Sequence, residues 1–138
     1  MANLISKDAL WQATADLPWE DVSIRKPPHD EVIGVMRLRG LTGEEVNEWQ
    51  DRAVHVKGRT RKQSRHAMAM LIVASAINED GSQYFEPRET MKVSQMPGYA
   101  LNQLTDVALK LSGLGDDEDA RELVEDFGDD PSDGSTSG

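Results

Sequence analysis

The chain of 138 residues contains no cysteine. That excludes a disulfide framework, a thiolate metal site and a cysteine nucleophile, and leaves the protein without redox chemistry of its own. Long apolar runs are missing too: no stretch reaches the roughly 18 apolar residues of a membrane span. The first residues, Met1-Ala2-Asn3-Leu4-Ile5-Ser6-Lys7-Asp8, have neither the basic start nor the apolar core of a signal peptide. A soluble, cytoplasmic protein with no membrane partner is expected. Catalytic signatures are also lacking, with no glycine-rich phosphate loop, no G-x-S-x-G elbow and no H-E-x-x-H helix. The histidines His29, His55 and His66 form no helical pair, and Asn78-Glu79-Asp80-Gly81 has no bidentate glutamate at calcium-loop distance. No metal, no cofactor, no catalytic residue and no enzyme activity are expected.

Bases are scarce at one end. Of the net charge of −10, residues 115–138 carry −9, because ten acids from Asp116 to Asp133 stand against the single base Arg121. The remainder is nearly neutral. The length is that of one domain, so the chain reads as a globular body over 1–114 and an acidic tail over 115–138. Such a tail favours solubility or a basic partner and adds little to a core.

In the body, Ser6 can cap a short helix presenting Leu10, Trp11 and Ala13, which Pro18 ends. Residues 21–25 and 32–39 are extended runs joined by Lys26-Pro27-Pro28-His29-Asp30-Glu31, a spacer that breaks helix and ladder and predicts a β-hairpin. In the second run Val32, Gly34, Met36 and Leu38 share one face, and Ile33, Val35, Arg37 and Arg39 the other. Thr42 and Glu45 have capping-box spacing, and Val46, Trp49, Ala53 and Val56 place one apolar stripe on the helix that follows. Residues 67–77 hold one polar side chain in eleven, predicting a helix covered nearly all round, at the centre of the core. A turn at Asn78-Glu79-Asp80-Gly81 and a helix start at Glu86-Pro87-Arg88-Glu89 follow. Ala100, Leu101, Leu104, Val107, Ala108 and Leu111 define a further helix, which Gly113 can stop in a left-handed cap with Leu114 as its apolar contact. Trp49, Leu71 and Leu104 are the expected core residues. The fold class is α+β: a helix-dominated small domain with an N-terminal β-hairpin and a flexible acidic C-terminal tail.

Two segments are candidate partner-binding sites. Lys57, Arg59, Arg61, Lys62 and Arg65 form a basic run with no acid inside it. It could meet phosphates, but it carries no aromatic for base stacking and the body is near neutral. A solvated interhelix loop is therefore preferred, nucleic acid is not expected, and docking of the acidic tail or of an acidic partner is a third reading. In the tail, Ala120, Leu123, Val124 and Phe127 fall at i, i+3, i+4 and i+7 behind the acids 116–119. This predicts a conditional amphipathic helix of about three turns that needs a partner for its stripe; residues 128–138 have the composition of disorder.

The order of these segments carries a resemblance. The extended run, Arg37-Leu38-Arg39-Gly40-Leu41-Thr42-Gly43-Glu44-Glu45, the apolar helix 67–77, Asn78-Glu79-Asp80-Gly81 with the later Phe85, and Leu109-Lys110-Leu111-Ser112-Gly113-Leu114 together resemble the tail assembly chaperones of long-tailed (siphovirus-type) bacteriophages over residues 4–114. The resemblance implies a non-catalytic protein of the host cytoplasm, absent from the mature virion. It would bind the tape measure protein, keep it soluble and help to recruit tail tube subunits, with self-association left open. Leu123, Val124 and Phe127 would either cover a client groove or join the client interface. The alternative is a structural virion component, a tail-completion or head–tail connector subunit.

Overall fold

The structure, a computed structural model, describes residues 4–55 and 58–128, the last four as backbone only. Helix α1 (Lys7–Ala13) starts where Ser6 Oγ accepts the Ala9 amide at 3.1 Å. It buries none of its residues, so Leu10 and Trp11 face solvent. Strands β1 (Trp19–Lys26) and β2 (Glu31–Arg39) form the expected antiparallel hairpin, running from Trp19 opposite Arg39 to Lys26 opposite Glu31. Its register turns Val22, Ile24, Met36 and Leu38 toward the helices and Ser23, Ile33 and Val35 outward. Helix α5 (Gly98–Leu111) closes the free edge of β1, because the Gln103 amide accepts from the Arg25 N–H and donates to the Arg25 carbonyl, both at 2.8 Å.

The Thr42–Glu45 capping box is present at the start of α2 (Gly43–Trp49). The helix continues into one wider turn, Gln50–Val54, in which the His55 amide reaches the Gln50 carbonyl at 2.8 Å. An i→i+5 turn admits an extra residue, and Ala53 and Val54 both become buried. Val56, the last member of the expected stripe, lies outside the described residues. Trp49 is core, as expected, with its indole N–H donating to the Ala67 carbonyl at 2.9 Å.

The next helix begins earlier than its apolar run. In α3 (Arg61–Ser75) Thr60 Oγ1 accepts the Gln63 amide at 3.2 Å while Gln63 Oε1 accepts the Thr60 amide at 2.8 Å. This second capping box starts the helix inside the basic run, so the interhelix loop expected across all of Lys57–Arg65 is corrected: Arg61, Lys62 and Arg65 are helical. The other end is shorter than the apolar run predicts. Ala76 and Ile77 form β3, which pairs with Leu38 and Arg37 to complete a sheet of order β1-β2-β3. The turn at residues 78–81 follows, with Gly81 at φ +89° and Asp80 accepting from Ser82.

A 3-10 turn (Pro87–Glu89) leads into α4 (Thr90–Ser94), and α5 (Gly98–Leu111) follows. The stop of α5 is the predicted one: Gly113 takes φ +79°, its amide reaches the Lys110 carbonyl, and the Leu114 amide reaches the Leu109 carbonyl at 2.8 Å. This is the left-handed Schellman cap, with Leu114 buried. Helix α6 (Glu118–Gly128) then packs on α3 and α5. Ala120 and Leu123 are fully buried in the same cluster as Leu71 and Leu104, so the packed body runs past residue 114 and the expected boundary does not mark the edge of the core. The architecture is α+β, with the hairpin and the short β3 on one side of a helical body centred on α3.

Candidate functional site

The exposed side of α3 is flanked by α2 and its wide turn on one hand and by the 3-10 turn and α4 on the other. Between them lies a cavity of about 530 Å³, with Ala53, Ala67, Met70 and Met91 as its apolar lining and Arg52, Lys62, Arg65 and His66 among its polar residues. A second cavity of about 510 Å³ shares Arg52, His66 and Met70 with the first and extends to Trp49, Val73 and Ala74, with Glu45 and Glu48 on its far side. The shared residues make the two one groove. Met91 is exposed and Met70 half-buried. Unbranched thioether side chains adapt to differing apolar partners, as at promiscuous helix-binding surfaces.

The groove is electrically polarised. No acid lines the first cavity, and among the described residues Arg52, Lys62 and Arg65 have no ion-pair partner. The first turn of α3 contains no acid, although the positive end of a helix favours acids and disfavours bases there. The arrangement thus sets aside a local preference worth a few tenths of a kcal/mol or more. At the far end, Arg39 binds Glu45 through two bonds, Nη1 to Oε1 at 2.8 Å and Nη2 to Oε2 at 2.9 Å. Those bonds, helped by the Thr42 amide and opposed by partial burial, hold the Glu45 carboxyl down at about 2.

The candidate residues of the sequence separate into distinct roles. Lys62 and Arg65 come together on the groove. Arg61 is exposed on the first turn of α3. Arg59 folds back, donating from Nε to Ser64 Oγ at 2.8 Å and from Nη1 to the Val54 carbonyl at 2.7 Å. It joins the wide turn to α3. Lys57 lies outside the described residues. Leu123 is fully buried and Val124 half-buried against the core, so Leu123 has its partner within the chain and presents no surface to a client; the Phe127 side chain lies outside the described ones. Sequence reasoning missed Arg52, Met70 and Met91 as groove residues. The Thr60–Gln63 spacing was the available signal for part of it, since a helix from Arg61 places Lys62, His66 and Met70 on one stripe at i, i+4 and i+8. Met91 had no such signal, because its position depends on how α4 packs on α3.

Among the described residues no group of three or more His, Asp or Glu could hold a metal ion, and no helix is long and apolar enough to cross a membrane. His55 instead meets Asp119 of α6 at 3.4 Å. Compared with protein-family models, with curated proteins and with solved structures, the chain finds no match.

Proposed function

We propose that this protein is a non-catalytic tail assembly chaperone that binds the tape measure protein of a long-tailed bacteriophage, keeps it soluble and helps to recruit tail tube subunits. The observation that carries the reading is the α3 groove, an open channel with Met70 of α3 and Met91 of α4 in its apolar lining and charged residues around it. A groove of this kind receives the apolar face of an amphipathic helix, the element that a long helical ruler protein exposes before assembly. The order of segments that resembles the chaperone family supports the same reading, and the acidic C-terminal end would add solubility to a complex with an aggregation-prone client.

Co-expression with the tape measure protein of the same genome tests the proposal. The expected result is a co-purifying pair and a client that is soluble only when this chain is present, with the chain absent from purified particles. An insoluble client and no complex, together with the chain in purified particles, would overturn the reading in favour of a structural virion component.

A further inference from the structure

We propose that the α3 groove selects one charge pattern in its occupant: a partner helix with an apolar face and with acidic residues clustered at the end that meets Lys62, Arg65 and Arg52. The partner's name rests on the proposed function, but the charge pattern does not. Three observations carry it. The cavity at the start of α3 is lined by three permanent cations and His66, with no acid. Lys62 lies in the first turn of α3, the positive end of that helix, where folding alone favours the opposite charge; Arg65 follows one turn on, and Arg52 joins them from the end of the wide turn. A rule broken locally without a compensating contact, as at Lys62, is expected at functional surfaces. The other end of the groove carries Glu48 beside the Glu45–Arg39 pair, so a helix with one acidic end and one neutral or basic end is matched in one direction and meets Glu48 with its acids in the other.

The length follows from the geometry. From Lys62 to Ala74 the α3 axis rises roughly 18 Å, enough for a partner helix of about three turns. Its apolar residues at i, i+3 or i+4, and i+7 would lie over Ala53, Met70 and Met91, and its acids would reach the guanidinium groups of Arg52 and Arg65 and the ammonium of Lys62. Acidic groups on the partner would release the groove from the unfavourable placement of bases beside the α3 dipole.

The test uses the full chain and two fluorescein-labelled helical peptides of about three to four turns. Both carry the same leucine stripe; one has glutamates at one end and lysines at the other, and its counterpart has lysines throughout. In fluorescence anisotropy the first peptide is expected to bind and the second to bind at least about tenfold more weakly. Lys62→Glu/Arg65→Glu should lower affinity for the first peptide about tenfold, and Met91→Glu, at an exposed position, should lower affinity for it without changing the circular dichroism spectrum. Equal binding of both peptides, binding of neither, or unchanged affinity in Lys62→Glu/Arg65→Glu overturns the inference. Binding that appears only after removal of residues 129–138 overturns it too, and assigns the groove to the chain's own acidic end. Should the tape measure protein co-purify as well with Lys62→Glu/Arg65→Glu as with the native chain, the charge pattern fails and the chaperone reading stands. Should the native chain fail to capture that client while the peptides discriminate, the chaperone reading fails and the groove assignment stands.

Discussion

Arg121, the single base of the last 24 residues, places its Nη1 2.8 Å from Oδ1 of Asp106 on α5, whose other oxygen holds Lys110 at 3.2 Å. Burial raises the Asp106 pKa, but the bonds from Arg121 and Lys110 outweigh it and leave the carboxyl below its ordinary value. Both partners are more than a third exposed, so the pair is worth ~0–1 kcal/mol. It orients α6, while Ala120 and Leu123, fully buried, hold the helix in place.

Leu123→Ala is therefore expected to cost about 2–5 kcal/mol, the range for emptying a leucine site in a packed core. Arg121→Ala should cost no more than about 1 kcal/mol. Urea denaturation of the two variants checks the ranking; equal, small losses would mean that α6 contributes orientation and no core.

Gly40 approaches the end of α5 so closely that a Cβ would collide with the Leu111 carbonyl, whose neighbour Ser112 accepts the Leu41 amide at 3.0 Å. Gly40→Ala should destabilise by about 1–3 kcal/mol through displacement of β2 from α5. Gly43, in the first turn of α2 with open space where a methyl group would stand, is the control, and Gly43→Ala should be neutral or stabilise by up to about 1 kcal/mol. A thermal melt of each variant decides.

The Thr105 hydroxyl is completely buried in α5 and has no hydrogen-bond partner among the described residues. An unpaired buried hydroxyl carries a desolvation cost that an isosteric methyl does not. Thr105→Val is expected to leave stability unchanged or to raise it by about 1 kcal/mol, read as a higher urea midpoint. A loss of about 1 kcal/mol or more would reveal a partner for that hydroxyl.

Glu45 supplies the clearest pH dependence. Its folded-state value of about 2 lies below its ordinary 4.5. The stabilisation from Arg39 is thus complete above about 4.5 and is lost as pH falls toward 2. Because the Glu45 side chain is 38% exposed, solvent screening reduces it to about 1 kcal/mol. Glu45→Gln should be less stable than the native chain at about pH 6, and that difference should shrink at about pH 3. A difference independent of pH would assign the loss to something other than the charge pair with Arg39, because glutamine can still close the capping box.

Much of the fold was legible because helix starts, helix stops and turns are encoded over three to five residues. Ser6 and Thr42 cap where their spacing predicts, Gly113 and Leu114 end α5, residues 78–81 turn, and the two prolines separate β1 from β2. Trp49, Leu71 and Leu104 are buried because apolar periodicity also reports burial. The Thr60–Gln63 box was equally local, but it lies inside a run of five bases in a near-neutral body, and a short charge run of that kind reads as a solvated loop.

Neighbouring residues and composition thus settle most of the elements, the α+β class and the separation of a near-neutral body from an acidic end. Packing between distant segments settles the rest. It drew Ala76 and Ile77 out of the helix because β2 offered a strand to pair with, and it widened the turn after Trp49 because Ala53 and Val54 could both be buried. It also turned Leu123 from a surface candidate into core, and it set Met91 beside Met70 and Arg65 to make the groove. Those outcomes depend on side chains distant in sequence competing for the same apolar space, which no local pattern records.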